Sequence, residues 1–292
     1  MAGDGYANPH LLIAPQALQD QLGSGGPHGS SGPVLIDLRP AEEFGKGALP
    51  GAVHLDLFGI SLIDTDPAPM RAFLWIIEHQ LATRGVSADR PVVVYDEHSG
   101  VRAARALWFL ELFGHPDVKL LDGGYGAWLR ARLPVSRDFV TPVPTEWHGS
   151  RREEVLATWR DVHARLGKAG VALVDTRTPE EHYGTLVRAA RGGTIPGSIH
   201  LEWTQNLGPD GCFKPADELR AMYAGIGVTP DCDVVAYCQG GYRGAHTYLA
   251  LRLLGFPQVR NYLGSWREWG DRLDLPLEVR TPPASSTPPA RP

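Results

Sequence analysis

The chain has 292 residues, 43% hydrophobic and 21% charged, with a formal net charge of −5. That length exceeds one ordinary domain, so two are expected, and the slight acidity gives no basis for nucleic-acid binding. No apolar run approaches the ~18 residues of a membrane span, and residues 1–6 lack the basic and apolar regions of a leader, so a cytoplasmic protein without a membrane partner is expected.

Taken in order, residues 1–10 read as a loose tail, 11–13 as a short strand, 17–22 as a helix and 23–32, rich in Gly and Ser, as a flexible loop. Residues 34–39 form a buried strand, 40–44 a helical turn, and 47–54 end in a brief strand. A helix over 70–84 leads to the strand 92–95, the loop 96–100, a helix to Phe113 and a closing unit at 122–128. Strands alternating with helices in this order predict a parallel sheet with helices on both faces. Residues 133–152, with Pro134, Pro142 and Pro144, read as a connector, and 281–292, with five prolines, as a disordered tail.

From Val171 the pattern begins again. Asp175 and Arg177 answer Asp37 and Arg39, His200 answers His54, Tyr237 answers Tyr95, and Trp269 answers Trp128. The spacing between matched positions hardly changes, so insertions fall in loops. The expected organisation is an N-terminal domain over 10–132, a linker over 133–152 and a C-terminal domain over 153–280.

The second copy contains what the first lacks. Residues 234–237 are a buried strand and 244–254 carry apolar positions at helical spacing, which sets Cys238 between strand and helix. The intervening Gln239, Gly240, Gly241, Tyr242 and Arg243 can turn backbone N–H groups inward, and the helix start adds partial positive charge. Such a site binds an anion and favours thiolate over thiol at Cys238. Gly240 and Gly241 permit positive φ, the N–H groups of Gln239 to Gly244 can stabilise charge on sulfur, and Arg243 adds a permanent cation. The chain has three cysteines, Cys212, Cys232 and Cys238, with no Cys-x-x-Cys pair, so neither a disulfide framework nor a zinc site is suggested. No metal or other cofactor is expected.

The six residues 238–243, together with the repeat, resemble the rhodanese family of sulfurtransferases, over about residues 10–280. A Cys-Gln-x-x-x-Arg loop occurs in its two-domain members, whereas phosphatases with a related cradle use the longer Cys-x5-Arg. The resemblance implies a tandem of two rhodanese-like α/β domains, the first catalytically silent because Asp96 stands at the Cys position. It also implies a Cys238 persulfide that carries sulfur from thiosulfate to a thiophilic acceptor, whether cyanide, a small thiol or a thioredoxin-like protein. Arg243 then binds the donor or locks the loop through a carboxylate. Arg191 matches a family position that binds the donor's sulfonate oxygens, Arg188 has a weaker claim to that task, and Trp203 matches an aromatic near the pocket. Asp175, Arg177, Glu268, Trp266 and Trp269 read as structural, and His246 is not needed as a base.

Two departures from the family pattern are Thr194, where His is common, and Leu263, where Asp is common. Three other readings compete: a 3-mercaptopyruvate sulfurtransferase, whose loop Gln239, Tyr242 and Arg243 do not fit; a phosphatase or arsenate reductase, opposed by loop length; and a sulfur carrier that serves a partner protein.

Overall fold

A computed structural model describes residues 5–25, 32–147 and 149–282. Most of the expected flexible loop, at 26–31, and the expected disordered tail from 283 onward lie outside them.

The first unit contains β1 (Leu12–Ile13), β2 (Val34–Asp37), β3 (Val53–His54), β4 (Val92–Tyr95) and β5 (Val118–Leu121). Its helices are α1 (Pro15–Gly25), α2 (Ala41–Lys46), α3 (Pro67–Ala82), α4 (Val101–Leu112) and α5 (Gly124–Arg130). The second contains β6 (Leu156–Ala157), β7 (Val171–Asp175), β8 (Ile199–His200), β9 (Asp233–Tyr237) and β10 (Val259–Tyr262). Around these lie α6 (Trp159–His163), α7 (Pro179–His182), α8 (Ala216–Gly225), α9 (Tyr242–Leu253) and α10 (Ser265–Asp271).

Both sheets are wholly parallel and share one order, β1-β5-β4-β2-β3 and β6-β10-β9-β7-β8. Their central strands read as unbroken apolar runs because a parallel strand is covered on both faces. The duplication extends to side chains. Arg39 pairs with buried Asp37 and donates to Gly47 O, while Arg177 pairs with buried Asp175 and donates to Gly193 O. Trp128 and Trp269 donate their indole N–H to the carbonyls of Pro134 and Pro276. Two elements escape the sequence pattern: β6, which is too short to show a period, and α8, which takes in the second unit the place of α3 in the first.

The units share a core. Helices α4 and α9 pack against each other between the sheets, so both are buried nearly all round rather than along one stripe. Smaller apolar clusters cover the outer faces of the two sheets. An interface built of core is rigid where a polar one would let domains swing. Polar ties add to it: Thr65 donates its N–H and hydroxyl to the buried carboxylate of Glu268, and Tyr242 donates its hydroxyl to Leu57 O at 2.7 Å.

Two expectations change here. Residues 5–10 do not trail free, because Ala7 N–H and Asn8 Nδ2 donate to the carbonyls of Leu253 and Arg252, strapping the start of the chain to the second unit. The connector 133–152 is also bound: Ser136 pairs with Ala48, Thr145 N–H reaches Ala82 O, and Trp147 is buried against Phe113 and His115. Its missing periodicity reflects irregular backbone laid along a surface.

Candidate active site

Cys238 follows the last residue of β9, and α9 begins four residues later, at Tyr242 rather than the expected Gly244. The turn between them depends on glycine at two places. Gly241 has φ +81°, and a Cβ there would lie 2.9 Å from Leu263 O. At Gly244 a Cβ would come within 2.6 Å of Asn261 Oδ1 and 3.2 Å of Ala236 O, so the helix can sit against the strands only without a side chain. Gly240 does not use positive φ, contrary to expectation, and a Cβ there would make only ordinary contact, 3.5 Å from Ser61 Oγ.

The loop is clamped from below by Ser265, which sequence reasoning missed. Its Oγ accepts from Cys238 N and Gly241 N, each at 3.1 Å, and donates to Tyr262 O at 2.7 Å. Ser265 holds φ +54°, a left-handed conformation that costs a non-glycine residue about 1 kcal/mol. Its counterpart in the first unit is Gly124, which adopts the same conformation without a side chain. The exchange of Gly for Ser between otherwise matched repeats was the available signal.

Cys238 is 1% exposed. Burial alone would push the thiol up, but the charge of Arg243 and the N–H groups of Gly244, Gly240 and Arg243 outweigh it and hold the thiol below its ordinary value. Arg243 is fixed in turn by Glu181, whose oxygens lie 2.5 and 3.0 Å from its two terminal nitrogens. Glu181 is buried, which opposes its charge, yet the bond to Arg243 holds its carboxyl below the usual range. The same carboxylate caps α7: Thr178 Oγ1 accepts from Glu181 N and Glu181 Oε2 accepts from Thr178 N. The sequence showed the repeated acidic pair but not that one member faces the loop.

Above the sulfur lies a cavity of about 390 Å³. The second unit lines it with Arg188, Trp203, Gln239, Gly240, Tyr242 and Arg267, and the first unit contributes Phe58, Gly59, Ser61 and Val101. Gln239 donates to Arg188 O at 2.7 Å, which ties the loop to the neighbouring segment. Hollows of about 420 Å³ beside Arg84 and Arg90 and about 460 Å³ beside Cys212 lie elsewhere. Burial and the carboxylates of Asp122 and Asp210 push the Cys212 thiol up to about 12, the opposite direction from Cys238.

Arg191 is not at the cavity. Its guanidinium donates to the carbonyls of Trp269, Gly270, Arg272 and Leu275, satisfying the end of α10 and the turn after it. Arg188, given the weaker claim from sequence, lines the cavity instead, with its side chain 52% exposed beside Glu181. The Gly-rich surroundings of both residues left their directions open. His246 is buried beside the first unit, its Nε2 on Ser99 O at 2.8 Å, and burial drives it down to about 4. Its ring is taken up by Ser99 O, Asn206, Trp203 and Phe213.

At the matched place in the first unit, Asp96 takes the cradle for itself. Its Oδ1 accepts from Gly100 N at 2.9 Å, and Oδ2 from Arg102 N at 3.0 Å and Ala103 N at 3.1 Å.

Fold and site together define a duplicated α/β protein in which a cysteine at one strand end lies in a glycine-bearing loop beside an arginine. The rhodanese-like domain family matches residues 14–131 and 158–272, and the chain belongs to it. It is 34% identical to a thiosulfate sulfurtransferase of Azotobacter vinelandii, over 94% of this chain and 100% of that protein. Identity to a thiosulfate sulfurtransferase of Corynebacterium glutamicum is 37%, over 94% of this chain and 92% of that one. The sulfur carrier protein TtuD of Thermus thermophilus is 34% identical, over 94% and 98% of the two chains. A solved anaerobic ergothioneine biosynthesis enzyme of Chlorobium limicola shares the fold, with a TM-score of 0.82 at 22% identity, over 95% of this chain and 72% of that one.

Proposed function

We propose that the protein is a thiosulfate sulfurtransferase that works through a persulfide on Cys238. The observation that carries this reading is the place of Cys238, at the base of the cavity in a loop clamped by Ser265 and beside Arg243, which Glu181 fixes. The thiolate attacks the outer sulfur of thiosulfate, the sulfur–sulfur bond of the donor breaks, and sulfite leaves with the electron pair. The persulfide anion then lies where the loop amides already point, so its charge needs no rearrangement and no proton. In the second step cyanide or a thiolate attacks the terminal sulfur, and the electrons of the breaking bond return to Cys238. Arg188 and Arg267 give the cavity a cationic mouth for a dianionic donor, and Phe58, Trp203 and Tyr242 supply aromatic walls. The domain over 10–132 is the silent one, since Asp96 cannot attack a sulfane sulfur, and it covers the loop from above.

Thiosulfate and cyanide should give thiocyanate, and thiosulfate alone should add about 32 Da to the intact protein, removable by cyanide. A Cys238→Ser protein that still formed thiocyanate would end the proposal. The relation to TtuD favours one second reading, a carrier that hands sulfur to a protein thiol, including a thioredoxin-like one. Stable mass addition with slow turnover on small acceptors distinguishes it. Comparison of kcat/KM for thiosulfate and 3-mercaptopyruvate tests the donor.

A further inference from the structure

Arg105, on the first unit's α4, is 1% exposed, and among the described residues none of its three guanidinium nitrogens has a hydrogen-bond partner. It is held instead by ring faces, 3.9 Å from the centroid of Tyr242, 4.9 Å from Phe109 and 6.0 Å from Phe73. Burial draws it down to about 10, against the pull of Tyr242 and Cys238, which leaves it charged at neutral pH. A buried cation without a carboxylate lowers stability, so a guanidinium placed here calls for a compensating anion nearby. The scaffold does not require one: at the matched position of α9 stands Thr247, whose hydroxyl accepts from Asn206.

Rings from three elements face Arg105: Phe73 from α3, Phe109 from α4 itself and Tyr242 from α9. Tyr242 belongs to the cysteine loop, and Cys238 is the other acidic group that acts on the guanidinium. We propose that Arg105 is a positioning residue for sulfur transfer: the Cys-less domain's counter-cation, which steadies negative charge on Cys238 through the ring of Tyr242. Arg243 is the cation that acts on the thiol from within the loop, Glu181 is paired with it, and Arg188 and Arg267 stand at the mouth. The first unit then contributes charge as well as cover. This inference rests on reading Cys238 as the sulfur-bearing nucleophile.

The test measures iodoacetamide alkylation of Cys238 against pH, read by peptide mass, in the full chain and in Arg105→Met and Arg105→Lys. Removing the charge should move half-maximal alkylation upward by about half a pH unit to one unit, with Tm unchanged or raised. Arg105→Lys, which keeps the cation, should restore most of the wild-type profile. Should Arg105→Met fail to fold, Arg105→Gln supplies the neutral comparison. A neutral variant with the wild-type alkylation profile overturns the proposal, as does a shift that Lys fails to reverse. Thiocyanate formation by the wild type is a separate readout, so a wild-type-like alkylation profile would leave the thiosulfate reading standing.

Discussion

The two strand ends at Asp96 and Cys238 are built alike and filled differently. In the first unit the carboxylate turns back into its own loop and takes the amides of Gly100, Arg102 and Ala103. In the second, the amides of Gly244, Gly240 and Arg243 address a sulfur that faces a cavity. The strand–turn–helix therefore makes an anion cradle in both copies, and the residue at the strand end decides whether the chain occupies it. Neighbouring positions follow that decision. Val101 stands where Arg243 does, and the matched Glu43 accordingly lies on the surface beside Lys46, whereas Glu181 is buried against its arginine. Asp96 is buried deeply enough that its pKa rises despite its amide partners.

The largest expected effect comes from making the second loop like the first. Cys238→Asp should remove thiocyanate formation altogether, a loss of at least ~10³-fold, while the protein stays folded with its carboxylate in the cradle. A folded variant that kept turnover would break the comparison; circular dichroism and Tm check the fold.

Glu181→Gln removes the carboxylate without changing shape. Breaking this buried pair should cost about 3 kcal/mol of stability in urea unfolding and lower kcat/KM roughly tenfold or more as the arginine loses its hold. The Glu181 carboxyl lies lower in the fold than its value near 4.5 in the unfolded chain, so its contribution is complete above that pH and is lost as pH falls through the folded value. The stability gap between wild type and variant should therefore be full near neutrality and close in acid.

The smallest effect separates two arginines that the sequence left confused. Arg188→Met should raise KM for thiosulfate several-fold with Tm nearly unchanged, because its side chain is half exposed at the cavity. Arg191→Met should lower Tm by several degrees and leave KM alone, since its partners are backbone carbonyls. The reverse result would return Arg191 to the donor site.

The central strands, the helices behind them, the tandem and the cysteine loop were legible because each is written in neighbouring residues. A buried parallel strand needs a continuous apolar run, and an anion loop needs glycine where Gly241 and Gly244 stand. The identity at position 96 likewise marked the first copy as different. Tertiary structure alone decided which carboxylate locks Arg243, which of Arg188 and Arg191 turns to the cavity, that Ser265 ties the loop from below, and that Arg105 reaches it from the other domain. Each of those depends on groups distant in sequence brought within a few ångströms by a shared core, and local spacing carries no record of such meetings.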